Sequence, residues 1–73
     1  MTLKQMGLWL EFLADMGVLQ RSTARMVLDT ITNGDHYYHT HGINRVYKLR
    51  EDNPELWLMF RTKQRILGNI TGE

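Results

Sequence analysis

The stretch Glu11 to Leu28, EFLADMGVLQRSTARMVL, sets the reading of the whole chain. Its first part continues an apolar stripe, Leu3, Met6, Trp9, Leu10, Leu13 and Met16, spaced by threes and fours as a helix requires. Leu8 and Phe12 widen that stripe, so the spacing predicts a helix from Leu3 to about Met16, buried on more than one side. Gly7 lies inside it and costs about 1 kcal/mol relative to alanine, unless it admits a close helix contact. Gly17 follows as the left-handed residue that ends a helix, with Val18 packing back. A second helix then opens at Ser22, a good N-cap, and carries Ala24, Val27, Leu28 and Ile31 on one face with Met26 at its flank. Asn33 and Gly34 close it.

Downstream, the composition changes. His36-Tyr37-Tyr38-His39-Thr40 and Ile43-Asn44-Arg45-Val46-Tyr47-Lys48-Leu49 are rich in aromatic and β-branched residues and flank His41-Gly42. This pattern predicts two short strands joined by a tight turn. A rival reading makes residues 43–51 a short helix with Ile43, Val46, Tyr47 and Arg50 on one face. The last element has clear boundaries. Asn53 is placed as an N-cap, Pro54 suits the first turn, and Glu55 complements the helix dipole. Leu56, Trp57, Met59, Phe60, Lys63, Ile66 and Leu67 continue it to a stop at Gly68, with residues 69–73 expected as a frayed tail. The expected fold is mainly α in a single domain over residues 1–73. Three helices stand in a helix-turn-helix-like arrangement, with a small β-hairpin or short fourth helix between the second and third.

Composition narrows the class. The 73 residues include no cysteine, so neither disulfides nor the usual zinc-finger ligands are available. A chain this short buries only about 60% of its unfolded surface and makes a marginal core. The 42% apolar content is normal for a folded protein. No run approaches the roughly 20 apolar residues of a membrane span. Glu11 and Asp15 interrupt any signal-peptide core, and the reading is cytoplasmic. Net charge is +1, which excludes a strongly basic DNA-coating protein, but basic groups cluster locally at Arg21 and Arg25, at Arg45, Lys48 and Arg50, and at Arg61, Lys63 and Arg65. No cysteine nucleophile, glycine-rich phosphate loop or carboxylate pair framed by histidine is present, and the chain is too small for a reaction cleft. An enzyme, a cofactor and a small-molecule substrate are therefore not expected. His36, His39 and His41 lie close together with Asp35 adjacent. On a strand His39 and His41 share one face and His36 the other, a poor three-ligand site, so no metal is expected.

The order helix, glycine turn, helix in residues 11–28 resembles the helix-turn-helix family of DNA-binding proteins. Gly17 with Met16 and Val18 matches the family's turn, and Phe12 and Met26 match the apolar positions that lock its helices. Leu13 stands where the family has a small residue, and Thr23 where it has a branched aliphatic. The resemblance implies that the second helix enters a major groove, with Gln20, Arg21, Ser22, Thr23 and Arg25 as reading residues. Residues 42–49 resemble the returning strand of a wing, which implies phosphate contacts for Arg45 and Lys48. The plain alternative is an αα-hairpin with an exposed arginine pair.

In its length, its lack of cysteine and the order of its elements, the whole chain resembles the small proteins with which lytic phages seize host transcription. Members bind bacterial RNA polymerase, block promoter-dependent initiation and promote readthrough of terminators. The resemblance implies a protein partner in the bacterial host cytoplasm and antitermination as one outcome. A protein interface is expected to use exposed aromatics and cations, here Tyr37, Tyr38, Arg45, Lys48 and Arg50. The near-neutral charge agrees with a protein partner better than with DNA.

Overall fold

A computed structural model describes residues 1–68, and the expected frayed tail lies outside them. They form four helices: α1 (Leu3–Asp15), α2 (Arg21–Asn33), α3 (His36–Asp52) and α4 (Pro54–Ile66). The expected hairpin is absent, and there is no strand among the described residues.

α1 begins with a cap that the sequence reading passed over. The Thr2 hydroxyl accepts from the Gln5 amide at 3.2 Å, and the Gln5 side chain accepts from the Thr2 amide at 2.9 Å. This reciprocal pair satisfies two otherwise orphaned donors. At the other end Gly17 adopts φ +79°. Its amide donates to Ala14, and that of Val18 donates to Leu13 at 2.9 Å, the double closure that a left-handed residue permits. Val18 itself stays exposed, as do Leu3 and Met16 at the ends of the expected stripe.

α2 starts two residues earlier than its serine suggested. Gln20 is the extended N-cap residue, without a side-chain cap, and Ser22 stands in the first turn. Ala24, Val27 and Ile31 face inward, while Met26 is exposed.

The segment read as a hairpin is one 17-residue helix. Asp35 caps it, accepting from the Tyr38 amide at 3.1 Å. Gly42, read as a turn glycine, is a packing residue. A Cβ there would stand 2.7 Å from Ile31 Cγ1, so its absence lets α3 approach α2. Gly42 and Val46 are buried and Ile43, Tyr47, Leu49 and Arg50 half-buried, which is the rival helical reading extended N-terminally by two turns. Burial against α2 and α4 outweighs the β-preference of Ile43, Val46 and Tyr47.

Asn53 both ends α3 and begins α4. Its side chain donates to the Leu49 carbonyl at 2.9 Å, closing α3 instead of capping α4. Each helix packs on the next, and α4 returns to α1. The centre is aromatic: Trp9 and Phe60 are fully buried with ring centroids 5.3 Å apart, Trp57 meets Trp9 edge to face at 5.2 Å, and Phe12 meets Phe60 at 5.5 Å. Trp57 and Tyr47 are half-buried at its edge.

Candidate functional site

Two outward faces concentrate chemistry. On α3, Tyr37, His41, Asn44 and Lys48 recur every three or four residues and therefore line one face, with Tyr38 and Arg45 beside them. All six are exposed. The Tyr37 ring lies parallel to His41, centroids 5.6 Å apart, and meets Tyr38 edge to face at 5.2 Å. Tyr37 is 65% and Tyr38 56% exposed, although both could be expected to prefer cover. Lys48 has Asp52 within 3.8 Å. Four of the five residues expected at a protein interface are thus brought to one surface.

Arg50 is not part of that surface. Its guanidinium lies over the Tyr47 ring at 4.7 Å and the Trp57 ring at 5.3 Å. It fastens α3 to α4 by cation–π attraction and stem packing.

At the start of α2, Gln20, Ser22 and Arg25 are exposed, and Thr23 is half-buried. Arg21 is engaged by Asp15 at 2.7 Å. That hydrogen bond, with the charge of the same carboxylate, holds the Arg21 guanidinium above its ordinary pKa. No wing stands beside this helix, because Arg45 and Lys48 belong to α3.

The histidines diverge. His39 meets the Ile31 carbonyl through Nδ1 at 2.6 Å, at the C-terminal turn of α2. His41 is in the ring stack, and no group of three potential metal ligands comes together among the described residues.

The second outward face was missed in the sequence. On α4, Leu58, Met59, Ile66 and Leu67 are exposed around Thr62, with Lys63 at the edge. Leu58 is 66% and Ile66 80% exposed. The Thr62 hydroxyl donates to the Leu58 carbonyl at 3.0 Å, so its donor is already satisfied. Splitting α4 by face would have revealed the stripe: Leu56, Trp57, Phe60 and Gln64 turn inward, which leaves Leu58, Met59 and Ile66 opposite. A helix apolar on two sides wants cover on both.

No helix of the described residues is long and apolar enough to cross a membrane. No known protein family, curated protein or solved structure matches this chain.

Proposed function

We propose that this chain is a small non-enzymatic transcription regulator that binds bacterial RNA polymerase, blocking initiation, promoting antitermination, or both. The resemblance to phage proteins that seize host transcription names the partner. The observation that carries a protein contact is the α4 stripe of Leu58, Met59, Ile66 and Leu67, exposed on a chain with a fully packed aromatic centre. Exposed apolar side chains grouped in this way mark interaction sites, whereas single ones do not. Lys63 and Arg65 near the stripe favour a partner surface with acidic groups at its rim.

The test is capture of purified bacterial RNA polymerase by the tagged protein, at about 0.15 M salt, where surface charges are screened beyond roughly 8 Å. Wild-type protein is expected to retain polymerase, and Leu58→Glu and Ile66→Glu to lose it while keeping their helical circular dichroism. Capture by both variants would move the contact off α4, and no capture by the wild type would end the polymerase reading.

A second reading, duplex-DNA recognition by α2, is favoured by the left-handed Gly17 turn and by exposed Gln20, Ser22 and Arg25. The pairing of Arg21 with Asp15 and the absence of a wing weigh against it. It requires duplex binding that falls steeply with salt and a loss of affinity in Arg25→Ala.

A further inference from the structure

We propose that the outward face of α3 is a binding site for single-stranded nucleic acid, separate from the apolar stripe on α4. The case begins with the rings. Tyr37 and His41 are one helical turn apart and lie nearly parallel, 12° between planes. Tyr38 closes the cluster edge-on. Three aromatic side chains are therefore grouped in water at the start of one helix, each more than one-third exposed, with no core beneath them. A parallel pair offers flat π-surface, and an unpaired base is a flat partner that can stack on it.

Cations follow on the same side. Arg45 lies two turns beyond Tyr38, and Lys48 two turns beyond His41. Tyr37 to Lys48 spans roughly 16 Å along the helix at about 1.5 Å per residue, enough for a few nucleotides. Asn44, exposed between rings and cations, adds an amide that can donate to or accept from base edges. From His36 to Arg50 the helix carries no carboxylate, and Glu51, exposed one turn after Lys48, marks the end of the site. Asp35, just before it, is occupied as the N-cap. Asp52 sits beyond the cations at 3.8 Å from Lys48, whose side chain is still 73% exposed and free to turn to a phosphate.

This chemistry fits an unpaired strand better than the alternatives. A duplex hides the base faces that a ring pair would stack on, and it offers only edges and phosphates. A protein contact is centred on apolar groups in a pocket that excludes water, which this row lacks and the α4 stripe approaches. With two cations engaged, binding is weak and shallow in its salt dependence. Each phosphate on a single strand contributes a slope of about −0.7 in log K against log salt, so the expected slope is about −1.4.

The experiment is fluorescence anisotropy of labelled oligouridine and oligothymidine of about twelve nucleotides, titrated with the full chain at low salt, with the matching duplexes in parallel. Binding of either single strand more tightly than its duplex is expected. Tyr37→Ala and His41→Ala are each expected to weaken it about fivefold or more, the loss of one stacked base. Tyr37→Trp should keep or raise affinity, which a merely structural tyrosine would not require. Arg45→Ala should bring the salt slope to about −0.7. All three positions are exposed, and helical circular dichroism checks each of the four variants. The proposal is overturned if neither strand binds, if duplex binds more tightly, or if both ring deletions leave affinity unchanged. Because the measurement uses the chain without polymerase, its failure leaves the polymerase reading standing, and the reverse holds as well.

Discussion

Gly42 and Gly7 are both helical glycines, and they are expected to answer the same substitution in opposite ways. At Gly42 a methyl group would collide with Ile31 at 2.7 Å, and Ile31 is buried between helices with little room to give. Gly42→Ala gains helix propensity of about 1 kcal/mol but overpacks the α2–α3 contact, which typically costs about 1–3 kcal/mol. The net expectation is a lower Tm. At Gly7 the added methyl would meet Leu28 methyls at 3.6 Å, an ordinary contact, so Gly7→Ala should stabilise by up to about 1 kcal/mol. Thermal denaturation of the two variants reads the difference directly, since 1 kcal/mol moves Tm by about 4–8 °C in a domain of this size. At the first residue of the fold, Thr2→Ala removes one half of the reciprocal cap and should cost about 1 kcal/mol by urea denaturation. Arg50 calls for a different measurement. Because its guanidinium lies over Tyr47 and Trp57, Arg50→Glu is expected to lower stability before it changes any partner contact. Arg45→Glu, on an exposed position, should leave stability within about 0.5 kcal/mol.

At the level of elements, α4 offers the sharpest contrast between faces. Phe60 is fully enclosed, and Phe60→Ala should cost about 3–5 kcal/mol, comparable to the entire stability of many small domains. Leu58, two residues earlier and two-thirds exposed, should tolerate alanine with no measurable change in urea midpoint. The helices with strong boundaries were legible in the sequence. α1 could be read from the spacing of Met6, Trp9, Leu10 and Leu13 and from Gly17, and α4 from Asn53, Pro54 and Gly68. α3 was not, because its evidence is tertiary. Ile43, Val46 and Tyr47 prefer strands in isolation, and Gly42 looks like a turn until Ile31 is known to lie against it. The Asp35 cap was a local signal for a helix, but Asp35 was weighed only as a neighbour of the histidines. The same limit governs the sites. Tyr37, Tyr38, Arg45 and Lys48 were chosen by residue type, yet their common face depends on a helical period that the hairpin reading did not supply. Met59 and Ile66 were counted with the helix's apolar residues because hydrophobicity alone does not say which side of a helix finds a neighbour.

Across the molecule, each helix leans on its neighbour in sequence, while the return of α4 to α1 and the bond from the Met1 amino group to the Tyr47 hydroxyl join distant parts of the chain. Local contacts of this kind favour fast folding, and the main refolding phase from urea is expected in the microsecond-to-millisecond range. A main phase slow enough to follow by stopped flow over seconds would contradict that. The return of α4 also places the last large ring of the chain, Phe60, against Trp9 and Phe12 of the first helix. The domain therefore closes only when its end is in place. Asn53 gives this arrangement a further property. One residue serves as both the end of α3 and the start of α4, so the chain between the two outward faces holds no slack. If the strand and the protein surface proposed above belong to one assembly, two weak sites joined by a stiff elbow would act as a bivalent clamp. Once one ligand is seated, the second meets an effective concentration fixed by the fold, and avidity rises without any new contact. A few flexible residues inserted after Asn53 would leave each site's own affinity in place and dissolve that gain.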